Sequence, residues 1–205
     1  MNANPATNPS PDYDTWLHTI PAGRNNRAVR YATRIKRLIQ LTGAETLLDY
    51  VCGEQSAYET PVSIADSPLP VTLQDYWDIT AVNCYDPRLP QLQARPESNC
   101  DGVICTGALS DVPLADAPWL MDEIFAYANS FVFIAVDCTT IRHGTRDARH
   151  AVPGLPEWWR LTVIDCAQRH PSVVWELITL SRLPRSPQVA TIQSIFTSLS
   201  SSGAM

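Results

Sequence analysis

An acidic residue closing an apolar run, followed by a glycine turn, is a pattern that can hold a nucleotide. The stretch Leu47-Leu48-Asp49-Tyr50-Val51-Cys52-Gly53-Glu54-Gln55-Ser56 has that form. Glycines in such a turn let backbone N–H groups approach a ligand and accept positive φ. Only Gly53 supplies this here, so a plain strand-to-helix turn is the simpler reading of the stretch by itself. A second acid, Asp86 in Tyr85-Asp86-Pro87, is placed to accept both ribose hydroxyls from the end of a strand. It follows Asp49 at more than the usual separation of about 20 residues. An irregular insert at 61–75, with three prolines, accounts for the excess. The alternative for Asp86 is an Asx-type turn before Pro87. For Asp49 it is a solvated or hydrogen-bonded strand-end acid.

Other side chains could also do chemistry. His143 and His150 follow the most apolar run, Phe131 to Cys138, and either could act as a general base. Such a base is needed only where the acceptor must lose a proton. The alternative is a pair of exposed loop histidines; His18 and His170 read as surface residues. Arg27, Arg30, Arg34 and Arg37 recur at helical spacing and could hold an anionic substrate, or form a solvated face. Trp158, Trp159 and Trp175 could stack on a planar or sugar-like ligand; packing of a helix onto a sheet is the plainer reading. The six cysteines include no C-x-x-C pair, so buried thiols are expected rather than a zinc site.

These residues need elements to position them. Arg27 to Leu41 is predicted as a helix, with Ala28, Ala32, Ile35 and Ile39 on one stripe and Gly43 closing it. Predicted strands lie at Thr46 to Cys52, within Trp77 to Tyr85, and at Asp101 to Thr106, Phe131 to Cys138 and Val173 to Leu180. Helices are predicted from residue 53 to 60, from Pro118 to Asn129 and from Pro156 to Arg169. Strands alternating with helices predict a mostly parallel sheet covered on both faces. Ligands of such sheets bind beyond the C-terminal strand ends, at the switch in strand order.

The run around Asp49 resembles motif I of class I S-adenosylmethionine methyltransferases, an acid followed by a Gly-x-Gly-x-Gly turn. It is most similar to a bacterial and phage branch reading Leu-Leu-Asp-Tyr-Gly-Cys-Gly-x-Gly. Tyr85-Asp86-Pro87 resembles that branch's second-strand motif, and Asp101-Gly102-Val103-Ile104-Cys105-Thr106 its fourth-strand motif. Pro118 to Phe125, Phe131-Val132-Phe133 and Pro156-Glu157-Trp158-Trp159 follow in the same order. The resemblance covers about Arg30 to Leu180. It implies a Rossmann-like α/β fold and S-adenosylmethionine as cofactor. The cofactor would be met by Asp49, Val51, Gly53, Asp86 and Thr106, with His150 where the branch also has a histidine. The departures gather at the same mouth. Val51 and Gln55 stand where the pattern has glycine, and Gly107 to Asp111 replace an Asp followed by Leu-Glu-His. Valine adopts φ > 0 at a cost of roughly 1–2 kcal/mol. Losing about 2–3 kcal/mol of binding would weaken affinity by roughly 30- to 150-fold.

The chain of 205 residues suits one domain, read as an irregular arm at 1–22, a methyltransferase-like domain at 23–183 and a tail at 184–205. A short helix from Val189 to Leu199 is one option within that tail. Apolar residues make up 45% and charged residues 18%, which are globular values. A net charge of −6 argues against general affinity for nucleic acid. No apolar run is long enough for a membrane span and no signal peptide is expected, so a cytoplasmic protein is. Two readings follow. One is a methyltransferase acting on an unidentified small-molecule or saccharide-like acceptor. The other is a catalytically inactive protein of the same fold that binds a ligand or partner.

Overall fold

The computed structural model describes residues 27–53, 56–110, 112–138, 156–183 and 186–196. A 3-10 turn at Arg27–Tyr31 leads into α1, Ala32–Thr42. The predicted stripe of Ala28, Ala32, Ile35 and Ile39 is buried, together with Leu38. Gly43 closes the helix at φ 67°, its N–H donating to Ile39 O at 2.8 Å. Glycine takes that left-handed conformation without a Cβ penalty.

The strands are β1 (Thr46–Tyr50), β2 (Ala81–Tyr85), β3 (Cys100–Cys105), β4 (Ala128–Asp137), β5 (Val174–Leu183) and β6 (Ser186–Phe196). They form one sheet in the order β2-β1-β3-β4-β5-β6. The first five are parallel, and β6 runs antiparallel along β5. The fold is therefore α/β with a largely parallel sheet, consistent with a Rossmann-like arrangement. The intervening helices are α2 (Ser56–Glu59), α3 (Leu73–Trp77), α4 (Ala117–Ala126) and α5 (Pro156–Arg169).

Alternate strand residues serve opposite faces, so both faces must be apolar. Leu47, Ile104, Phe131, Phe133 and Ile178 pack beneath α1 and α3. Leu48, Val103, Val132, Ile134 and Trp175 pack beneath α4 and α5. Trp159 and Trp175 are buried in this second layer, which is the packing role expected of them. All six cysteines are free, four of them buried.

Two contacts align the central strands. Asp101 Oδ2 accepts from Glu45 N, Thr46 N and Thr46 Oγ1 at 3.0, 3.0 and 2.9 Å, tying the start of β1 to β3. Gly102 leaves room for the Phe131 ring and Leu47 Cδ2, both of which a Cβ there would strike.

Several boundaries differ from expectation. Trp77 belongs to α3, whose start Thr72 caps by accepting from Asp75 N, and its indole N–H donates to Ala32 O at 2.9 Å. The second strand, Ala81–Tyr85, lies within the predicted range. Helix α4 ends at Ala126, and Ala128 already pairs with Cys100. The chain from Ser186 to Phe196 is a strand, not a short helix, because pairing along β5 satisfies its backbone. The arm at 1–22 lies outside the described residues. Among the described residues no helix is long and apolar enough to cross a membrane.

Candidate functional site

In this strand order the chain departs in opposite directions from β1, to β2 on one side and β3 on the other. The crevice beyond the C-terminal ends of these strands is where α/β sheets bind ligands. Asp49, Val51, Gly53, Asp86 and Thr106 all fall at that end.

The turn after β1 is fastened to β2. Val51 N and Cys52 N donate to Tyr85 O at 2.7 and 3.2 Å, and Gly53 N donates to Asp86 Oδ2 at 3.0 Å. Three successive amides are thereby spent inside the protein. Val51 has φ 63° and Gly53 has φ 67°, so a β-branched residue occupies a backbone shape that favours glycine. Its side chain is half-buried against the apolar layer beneath α4.

Asp86 is fully buried and its carboxylate is saturated. Arg88 donates Nε to Oδ1 at 2.8 Å and Nη2 to Oδ2 at 2.6 Å, a bidentate pair. Arg88 N also donates to Oδ1 at 3.0 Å. This last bond is the Asx-type turn that Asp-Pro suggested, and Gly53 N completes the set. The guanidinium is itself largely enclosed, with the Arg88 side chain only 10% exposed.

Asp49 is equally buried but has fewer partners. Among the described residues it accepts a single hydrogen bond, from Tyr58 Oη to Oδ2 at 2.7 Å. Its Oδ1 is buried and makes no hydrogen bond to the described residues. Burial pushes the carboxyl up to about 7; Tyr58 opposes the rise, and the Asp86 charge adds to it. A buried acid held near neutrality with one empty acceptor is suited to meeting a cationic or donor group.

On the α1 side, a pocket of about 530 Å³ opens at the ends of β3, β4 and β5. Its lining includes Arg27, Arg30, Tyr31, Thr106, Gly107 and Asp137. Arg27 Nη1 donates to Gly107 O at 3.2 Å. Gly107 has φ 144°, and a Cβ there would strike the Arg27 guanidinium. Ser110 Oγ accepts from Asp137 N at 2.7 Å, bracing the next loop. Tyr31 stacks on Phe133 at 5.5 Å, and burial raises its phenol despite Arg30 beside it. The guanidinium of Arg30 lies 5.7 Å from the Tyr31 ring centroid. The arginine stripe thus divides: Arg27 and Arg30 face the pocket, while Arg34 reaches the buried Glu176 at 2.6 Å.

Asp49, Val51, Gly53 and Asp86 therefore cluster at one mouth, and Thr106 sits in the adjoining pocket. His143, His150, Gln55 and Asp111 lie outside the described residues. Sequence reasoning missed Arg88 and Tyr58. The signal for Arg88 was its place two residues after an acid in a Pro-containing turn. For Tyr58 it was a position in the helix just beyond the glycine turn.

No family model, no curated protein and no solved structure matches the chain.

Proposed function

We propose that the chain is a methyltransferase-like α/β protein that works as a binding protein rather than by transferring methyl groups. One observation carries this reading: the Asp86 carboxylate is consumed by Arg88 and Gly53. A ribose needs that carboxylate as an acceptor, and a cofactor needs amides that the turn has turned toward Tyr85. The Val51 side chain stands in addition where a glycine would let a ligand approach. The residues present do not fit the nucleoside end of S-adenosylmethionine, so no methyl-transfer step is derived. A pocket lies beside Thr106, where, among the described residues, Arg27 and Arg30 outnumber Asp137. Its ligand is a small molecule bearing an anionic group, which guanidinium groups hold well.

The experiment is calorimetric titration of the purified chain with S-adenosylmethionine and S-adenosylhomocysteine. No heat of binding up to millimolar cofactor is expected. Micromolar binding that Asp86→Ala abolishes would overturn the proposal and leave an active enzyme. That second reading, a methyltransferase with a small or saccharide-like acceptor, has one observation in its favour. The Oδ1 of Asp49, without a hydrogen bond among the described residues, is where the resemblance would put the methionine end, from whose ammonium it could accept.

A further inference from the structure

We propose that Asp122, Cys166 and His170 form a zinc site between α4 and α5. Asp122 belongs to α4, Cys166 to α5, and His170 follows the end of α5 four positions after Cys166. That spacing puts the thiol and the imidazole on one face. One ligand atom from each residue lies within 4.8 Å of the others. Cys166 Sγ is 3.1 Å from Asp122 Oδ1, and His170 Nε2 is 4.0 Å from the same oxygen. Around a tetrahedral zinc with bonds of about 2.0–2.3 Å, neighbouring donors stand roughly 3.3–3.8 Å apart. Shifts of under about 1 Å would close the triangle on an ion. Sulfur, nitrogen and oxygen donors together suit zinc, and do not suit magnesium or calcium.

The surroundings support the assignment. The Phe125 ring lies 5.6 Å from the imidazole and backs it on the protein side. Asp122 and His170 are each about one quarter exposed, while Cys166 is buried beneath them. An ion can therefore enter from solvent and keep water as its fourth ligand. Arg169 is the group it must displace. Arg169 grips Asp122 through Nε at 3.0 Å and Nη2 at 2.7 and 2.9 Å. Its Nη1 also holds Asp165 Oδ2 at 2.7 Å, so Arg169 stays paired after releasing Asp122. Binding sends the Cys166 proton to solvent. The thiolate, Asp122 and Asp165 then outweigh Arg169 by the charge of one divalent cation. Both helices end close by, Asp122 about one turn before the end of α4 and His170 just after the end of α5. The ion would staple α4 to α5 near the N-terminal ends of β4 and β5, the end of the sheet opposite the arginine pocket. Spacing alone hid the site because its third ligand comes from another helix.

The test is titration of the chelator-treated full chain with cobalt(II), followed by competition with zinc. Expected is one cobalt per chain with a thiolate-to-cobalt charge-transfer band and tetrahedral visible absorption, both displaced by zinc. His170→Ala and Cys166→Ser should each abolish the visible band, and Arg169→Gln should tighten binding. Far-UV circular dichroism checks that each variant is folded. His170→Ala, at a position about one quarter exposed, remains decisive should Cys166→Ser unfold. No visible band, or a band that His170→Ala leaves unchanged, would overturn the proposal.

Discussion

Arg88 and Asp86 stand two positions apart and form a closed bidentate pair, with N···O distances of 2.8 and 2.6 Å. The pair fills the place from which a strand-end acid would otherwise reach a ribose. Each group is nearly or wholly buried, so each depends on the other for its solvation.

Arg88→Ala should therefore destabilise the protein by about 3 kcal/mol, the scale for orphaning one half of a buried ion pair. Urea unfolding with the slope held common to both proteins measures it. A loss below about 0.5 kcal/mol, the scale of ordinary surface substitutions, would mean that water reaches Asp86 and the mouth is open.

Asp49 gives a pH dependence of definite sign. The unfolded chain ionises it near 3.8, whereas the folded chain keeps the proton up to about 7. Between those values the folded state binds the extra proton, so stability falls as pH rises from about 4 to about 7 and levels off above. The span is at most on the order of 4 kcal/mol. Asp49→Asn should flatten this slope, as shown by unfolding midpoints across the window. A slope that Asp49→Asn leaves intact would assign it to another group.

Gly102→Ala should be costly although its backbone is ordinary. The added methyl would meet Phe131 and Leu47 in the middle of the sheet, an overpacking worth roughly 1–3 kcal/mol. A thermal midpoint equal to that of the parent would show that β1 and β4 can part to admit it.

Val51→Gly should change stability by less than about 1 kcal/mol. Relief of positive-φ strain, roughly 1–2 kcal/mol, offsets the lost packing of a half-buried side chain. Gly53→Val, which adds the same strain at a buried position, should cost more than Val51→Gly. Equal effects for the two substitutions would remove the argument.

Much of this architecture was legible before any coordinates. Strands alternating with helices predicted a mostly parallel sheet, and the helix from Pro156 to Arg169 has the expected bounds. Gly43 closed its helix where the stripe ended. Boundaries failed where tertiary contacts overrode local pattern. The helix predicted from Pro118 to Asn129 stops at Ala126, because Ala128 is already paired with Cys100. The strand β6 was hidden because Val189, Ile192 and Phe196 recur at spacings of three and four, which suit a helix, while the strand forms by pairing with β5. At the candidate site, the acids and the glycine were legible from their positions at strand ends. What neutralises each acid was not, since Arg88 and Tyr58 act through side-chain directions that spacing does not specify.

The turn between β1 and α2 has a consequence for the rates at which amide protons leave. In a loop waiting for a ligand, N–H groups face water and exchange within the dead time of a deuterium experiment. Here Val51, Cys52 and Gly53 donate to Tyr85 and Asp86, so their protons should persist for as long as those of β1 itself. Deuterium uptake would then group this turn with the strand that precedes it. The segment whose glycine pattern suggests a moving mouth would open only when that side of the sheet does.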